Sequence, residues 1–103
     1  MTIIRKLSEM ISEEIADARK YVNCALNHKA DNLPLADTFF KLSQEEMNHM
    51  SMLHDQVTRI IDSYKKEHGD PPESMLAVYN YLHEKQMDDA AEVKAKQMLY
   101  RDN

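Results

Sequence analysis

The sequence predicts an all-α protein of three long helices in a single domain, residues 1–103. Its 103 residues include only one Gly and three Pro, while 43% are hydrophobic and 30% are charged. Such a composition is rich in helix formers and poor in turn residues. Apolar residues also recur with the spacing of a helix face through three long segments. A chain of this length buries only about two-thirds of its unfolded surface, so self-association would help to stabilise it.

Two short segments interrupt the helical pattern and divide the chain. The first, Lys29 to Leu33, offers Asp31 and Asn32 as capping residues before Pro34, which suits the first turn of a helix. In the second, Gly69 suits the position after a helix, and Asp70 with two prolines begins the next. The predicted helices span residues 3–29, 34–67 and 72–101.

The first predicted helix has an apolar stripe interrupted by one acidic residue, Glu14. Glu14 falls close to Leu7 on a helical wheel, whereas its neighbour Glu13 falls about 120° away. We therefore expect Glu14 to point towards the neighbouring helix and Glu13 to be solvated. The stripe consists of Ile4, Leu7, Ile11, Ile15, Ala18, Tyr21, Val22 and Ala25.

The second predicted helix places a carboxylate and an imidazole on its apolar face. Glu46 lies near the centre of the stripe and His49 towards one edge, and groups at i and i+3 can share a metal ion. A buried isolated carboxylate costs several kcal/mol unless it is protonated, paired or metal-bound. Glu46 therefore needs a partner. The stripe consists of Leu35, Phe39, Leu42, Glu46, His49, Met50, Leu53, Val57, Ile60 and Tyr64.

A short connection makes the first two helices antiparallel neighbours, so residues equidistant from it lie at the same height. Position 30 lies midway between Glu14 and Glu46, inside the predicted connection. Two inward carboxylates and the imidazole of His49 should therefore meet. They would form either a metal site or an interior ion pair between Glu14 and His49 without a metal.

The third predicted helix carries no second site. Glu84 points away from its main stripe, and Met87 stands where Glu84 would need a histidine at i+3. Met87, Ala91 and Met98 form a second, weak apolar face, as expected of a helix contacted on two sides. The main stripe consists of Met75, Val78, Tyr79, Leu82, Gln86, Ala90, Val93, Gln97 and Tyr100.

Two segments together resemble the first helix pair of ferritin-like di-iron carboxylate proteins such as rubrerythrins and encapsulated ferritins. They are Glu14-Ile15-Ala16-Asp17-Ala18-Arg19-Lys20-Tyr21 and Glu45-Glu46-Met47-Asn48-His49, and the resemblance covers residues 8–55. It implies that Glu14, Glu46 and His49 are the metal ligands and catalytic residues. Tyr21 and Glu45 would then be candidates for the layer behind the ligands, while the pattern itself favours Tyr21 as a core aromatic and Glu45 as a solvated residue. Iron in a di-iron site is the implied cofactor, while the ligand types also suit manganese or zinc.

The chain departs from that family in having only half of the ligands. A full bundle needs a second Glu helix and a second Glu-x-x-His helix, which two copies related by a two-fold axis would supply. The resemblance thus implies a homodimer or higher homo-oligomer in which dimerisation completes a four-helix di-metal bundle. The implied activity is ferroxidase, oxidation of Fe(II) by oxygen or peroxide. As in encapsulated ferritins, a protein shell or particle is a candidate partner.

Other features restrict the remaining possibilities. The net charge of −5 and the lack of a basic cluster argue against nucleic acid, and no apolar run could span a membrane. Cys24 is the only cysteine, which excludes an intrachain disulfide and favours a cytoplasmic location. We interpret Cys24 as a small buried hydrophobic residue. We interpret Met10, Met50 and Met75 as core residues. His28, His54, His68 and His83 are interpreted as surface residues.

The alternative function is a metal-free, ferritin-like helical association module, or an accessory protein of a larger assembly. The second apolar face of the third helix favours it. Both functions involve oligomerisation, so metal content is the property that separates them.

Overall fold

The computed structural model describes residues 2–102, which form three α-helices: α1 (Thr2–His28), α2 (Leu33–His68) and α3 (Glu73–Asp102). The prediction of an all-helical, three-helix chain is confirmed, and each helix end lies within one residue of its predicted position. None of these three helices is both long enough and apolar enough to cross a membrane.

The helix ends follow from local chemistry. The Asn32 side chain accepts a hydrogen bond from the backbone N–H of Leu35, at 3.3 Å, and so caps the start of α2. At the other end of α2, the N–H of Gly69 donates to the carbonyl oxygen of Lys65, at 2.9 Å. Gly69 has a φ of 79°, a conformation that glycine adopts without a steric cost.

Hydrogen bonds between helices define how the chain folds back. The Ser43 hydroxyl on α2 donates to the carbonyl oxygen of Ala18 on α1, at 2.8 Å, with α2 running back along α1. Gln86 on α3 contacts Ser8 on α1, and Lys96, later on α3, donates to Asn23, later on α1, so α3 runs in the same direction as α1. The result is a rod of 55 × 20 × 18 Å.

An apolar core runs along the axis of this rod. Ile11, Val22, Val57 and Val93 are almost completely buried, and full burial of such a side chain stabilises the fold by about 1.5–3 kcal/mol. Other core residues are Ile4, Ile15, Ala18, Met47, Met50 and Ala90, with Ala25, Ala36 and Tyr100 forming a second cluster near the α1–α2 connection.

Polar side chains inside the rod attach α3 to the other two helices. The Gln86 amide is buried and lies within hydrogen-bonding distance of the Ser8 carbonyl oxygen (2.9 Å) and of the Ser8 and Ser12 hydroxyls (3.0 Å each). Gln97 donates to the hydroxyl of Ser43 at 2.9 Å. Because a buried amide is costly without hydrogen-bond partners, these contacts specify the register of α3.

Several predictions about individual side chains are wrong. Leu35, Met10 and Met75 are each 38% exposed and Val78 is 61% exposed, although all four were assigned to the core. The physical reason is that α3 packs mainly against α1 and covers the α1–α2 pair from one side only. Cys24 is half-buried rather than buried.

The prediction that four histidines lie on the surface also fails in part; they are His28, His54, His68 and His83. His54 and His83 are half-buried and stack on each other, with ring centroids 5.0 Å apart. His83 also stacks on Tyr79 at 5.7 Å. His54 and His83 therefore lie at the α2–α3 interface. Because both residues fall outside the apolar stripes, the sequence pattern does not reveal that they are in contact. His28 is half-buried, whereas His68 is exposed as predicted.

Candidate metal centre

The three predicted ligands meet in the structure. Glu14 lies midway along α1, and Glu46 and His49 lie one turn apart on α2. One donor atom from each residue, a carboxylate oxygen or an imidazole nitrogen, lies within 4.8 Å of the other two. The two helices therefore bring the group together at the common height expected from the length of their connection.

The imidazole of His49 lies too far from both carboxylates for direct hydrogen bonds. The Nδ1 atom of His49 lies 3.6 Å from Oε2 of Glu14 and 3.9 Å from Oε2 of Glu46. The exposed fractions of the side chains are 26% for Glu14, 19% for Glu46 and 52% for His49. Two shielded carboxylates thus lie next to an imidazole that faces solvent.

Helix phase explains this gradient of exposure. The Glu14 side chain emerges next to the buried residues Ile15 and Ala18, but it is off the face of α1 that contacts α3 through Ser8 and Ser12. Glu46 similarly flanks the buried stripe of α2, whereas the sequence pattern predicted that it lies near the centre of that stripe. The group therefore lies on the side of the α1–α2 pair that α3 leaves uncovered.

The proximity of the carboxylates changes their titration. The pKa of Glu46 is raised from 4.5 to about 7. The largest cause is the hydrogen bond that its protonated carboxyl group makes with Glu14, followed by burial and by the negative charge of Glu14. His49 opposes this shift. The hydrogen bond to Glu14, burial and charge repulsion together thus favour a protonated Glu46 up to about neutral pH.

One oxygen of the group lacks a hydrogen-bond donor. Oε2 of Glu14 is buried and accepts no hydrogen bond from any of residues 2–102. A buried carboxylate oxygen without a donor is costly, and a bound cation would relieve that cost. Two carboxylates and one imidazole are a donor set suited to iron, manganese or zinc.

The two residues predicted to lie behind the ligands are not tied to them. Tyr21 is half-buried and stacks on Phe39, with ring centroids 6.3 Å apart, and Glu45 is exposed. Neither side chain makes a hydrogen bond or ion pair with the ligand group in the described part of the chain. Their roles at the site remain predictions. Glu13 and Glu84, which were expected to face solvent, are exposed.

Sequence reasoning missed Asp17 as part of the electrostatic environment. The charge of Asp17 also raises the pKa of Glu46, although Asp17 is exposed. Asp17 lies three residues after Glu14, which places the two on neighbouring positions of one helix face. That spacing was the available signal in the sequence. Asp17 extends the acidic surface around the group beyond the three predicted ligands.

Comparison with known proteins gives no assignment. No protein-family model matches the chain, and neither the curated proteins nor the solved structures provide a match. The geometry of the group is therefore the basis for a functional proposal.

Proposed function

We propose that the chain is a ferritin-like di-iron protein that oxidises Fe(II), with each metal site shared between two copies. The observation that carries the proposal is the convergence of Glu14, Glu46 and His49, whose donor atoms lie within 4.8 Å of one another. The pattern of one Glu on the first helix and Glu-x-x-His on the second supplies half of the ligands of a ferritin-like di-iron site.

The electrostatics of the group favour a bound cation over a purely structural ion pair. The imidazole of His49 can carry one positive charge, whereas Glu14 and Glu46 carry two negative charges when ionised. The raised pKa of Glu46 reflects this imbalance, since the carboxyl groups are stabilised by keeping a proton between them. A divalent ion would replace that proton and would also provide a partner for Oε2 of Glu14.

The surroundings of the group favour a second copy of the chain as its cover. Half-buried Leu42 lies one turn before Glu46 and half-buried Leu53 one turn after His49 on α2, and half-buried Leu7 lies two turns before Glu14 on α1. Two copies related by a two-fold axis would bury these side chains against each other and bring together four carboxylates and two imidazoles. That total is the ligand set of a ferritin-like di-iron centre.

The proposed reaction treats Fe(II) as the substrate. Two Fe(II) ions each give one electron to O₂, which takes up two protons and leaves as H₂O₂. Glu14 and Glu46 favour the products because their negative charge stabilises Fe(III) more than Fe(II). His49 provides the neutral donor and, being exposed, lies where ions and oxidant can arrive.

The test is metal analysis of the purified protein combined with Fe(II) oxidation in air. We expect about one metal ion per chain and oxidation faster than in buffer, both abolished by Glu14→Ala, Glu46→Ala and His49→Ala. Glu13→Ala and Glu84→Ala are controls, since each removes an exposed carboxylate outside the ligand group, from α1 beside Glu14 and from α3 respectively. They should retain metal and activity.

The opposite result would favour a metal-free association module. If the protein forms a dimer but binds no metal after incubation with Fe(II), and oxidises Fe(II) no faster than buffer, the ferroxidase proposal is wrong. The apolar residues around Glu14 and Glu46 would then serve association alone.

A further inference from the structure

A groove lies at the end of the rod distant from the α1–α2 connection, where α1 begins, α2 ends and α3 begins. Its volume is about 530 Å³, within the range of roughly 300–1,000 Å³ typical of small-molecule sites. The walls are mainly apolar, with Ile4 from α1, Ile61 from α2, and Leu76 and Leu82 from α3. None of the residues of the candidate metal centre lines it.

Charge distinguishes this groove from the rest of the surface. The chain has 18 acidic and 13 basic residues, yet among residues 2–102 the only charged side chain that lines the groove is Arg5. Arg5 is exposed and makes no ion pair or hydrogen bond with the described residues. The hydroxyls of Thr2 and Ser74 also line the groove. The guanidinium of Arg5 therefore adjoins an apolar groove whose lining contains no acidic side chain.

We propose that this groove binds a free, single-chain aliphatic carboxylate. The carboxylate would pair with the guanidinium of Arg5, which presents a planar pair of N–H donors suited to it. The hydrocarbon chain would lie along the walls formed by Ile4, Ile61 and Leu82. This site is separate from the proposed ferroxidase function and does not depend on it.

The apolar walls predict a dependence on chain length. Each methylene group transferred from water to an apolar surface strengthens binding about fourfold. In titration calorimetry at concentrations below micelle formation, affinity should therefore rise by about that factor per methylene from octanoate to decanoate to dodecanoate. One molecule should bind per chain. Affinity that does not change with chain length would contradict the assignment of the walls as the binding surface.

The location of binding can be observed directly by NMR of methionine methyl groups. Met75 lines the groove, whereas Met98 is exposed on the later part of the same helix. Dodecanoate should shift the Met75 methyl resonance in a saturable manner and leave that of Met98 unchanged. Equal shifts at both positions would indicate non-specific coating of exposed apolar surface and overturn the proposal.

The role of charge is tested by two pairs of variants. Arg5→Gln should weaken dodecanoate binding about fivefold, while Lys6→Gln, at an exposed neighbour that does not line the groove, should have no effect. Val78→Glu should weaken it at least about tenfold by placing a negative charge on the groove wall. Tyr81→Glu adds the same charge at an exposed position of α3 outside the groove, and should leave affinity unchanged.

Three further results would each overturn the proposal. They are the absence of saturable dodecanoate binding, equal weakening by Arg5→Gln and Lys6→Gln, and binding of dodecylamine as tight as that of dodecanoate. Sedimentation of the protein with anionic phospholipid vesicles, without binding of free dodecanoate, would instead identify the groove as a membrane-surface contact. Loss of self-association in Val78→Glu, without dodecanoate binding, would identify it as an interface between copies.

Discussion

At the scale of single residues, Glu46 has the most informative environment. Its pKa is raised from 4.5 to about 7 because its carboxyl group pairs with that of Glu14 and is partly buried. At pH values between 4.5 and about 7, Glu46 holds a proton in the folded chain that it has lost in the unfolded chain. The associated stability is fully present below the unfolded pKa and is lost as pH rises through the folded pKa.

This titration predicts that the metal-free protein becomes less stable as pH rises from about 5 to about 8. Glu46→Gln should remove most of that dependence, since the amide cannot ionise. The measurement is calorimetric Tm against pH in the presence of a chelator. Glu84→Gln, an exposed position, should keep the wild-type slope. A Tm that increases over this window in the wild-type protein would contradict the shared proton.

Tyr100 provides a second prediction at this scale. It is 4% exposed, its hydroxyl donates to Asp37, and its pKa is raised to about 12 by burial and by that hydrogen bond. Tyr100→Phe should reduce the free energy of unfolding by about 1.5 kcal/mol, as expected for a hydrogen bond to a charged group. Tyr81→Phe, at a 69% exposed position, should change it by less than about 0.5 kcal/mol. Urea denaturation measures both; equal effects would argue against a role for the Asp37 contact.

At the scale of helices, the attachment of α3 depends on a few polar contacts as well as on apolar packing. Gln86 is buried against α1, where its amide faces Ser8 and Ser12, and Gln97 reaches Ser43 on α2. A slide of α3 along α1 would leave these groups buried without partners. This requirement keeps α3 on one side of the α1–α2 pair, which leaves the face with Glu14 and Glu46 uncovered.

Gln86→Ala should therefore destabilise the protein by about 2–3 kcal/mol, because it creates a cavity and deprives Ser8 and Ser12 of a donor. Gln44→Ala, at an exposed position without such contacts, should change stability by less than about 0.5 kcal/mol. Both values can be measured by urea denaturation at pH 7. A loss below about 1 kcal/mol for Gln86→Ala would show that apolar packing alone holds α3.

At the scale of the whole molecule, the rod of 55 × 20 × 18 Å presents one long face that has no third helix over it. That face carries the predicted ligands and the partly exposed apolar residues around them. A second copy placed on it would form the four-helix bundle implied by the resemblance, with α3 of each chain outside. Association and metal binding would then be linked, since a shared site would exist only in the dimer.

The linkage predicts that Mn(II), or Fe(II) under anaerobic conditions, raises Tm and favours the dimer. Metal at a hundredfold excess over its dissociation constant adds about 2.7 kcal/mol to the assembled state. Light scattering and calorimetry measure the two effects, and a chelator should reverse them. Glu46→Ala should abolish both, whereas Glu13→Ala should not. A stable monomer at micromolar concentration, with or without Fe(II), would contradict the shared-site proposal.

The sequence by itself determined the helices and the meeting of the three predicted ligands. Helix ends depend on neighbouring residues such as Asn32 and Gly69, so local chemistry was sufficient to locate them. The common height of Glu14 and Glu46 follows from a short connection and a constant rise per residue. These are properties of a single chain segment or of one adjacent helix pair, and they require no knowledge of the remaining fold.

Only the tertiary structure decided which sides of the helices are covered. An apolar stripe indicates the face of a helix that favours burial, but it does not say from which direction a third helix approaches. That direction is decided by contacts distant in sequence, such as those of Gln86 with Ser8 and of His83 with His54. It places Glu46 at the edge of the core instead of its centre and leaves His49 open to solvent, because α3 can cover only one side of the α1–α2 pair.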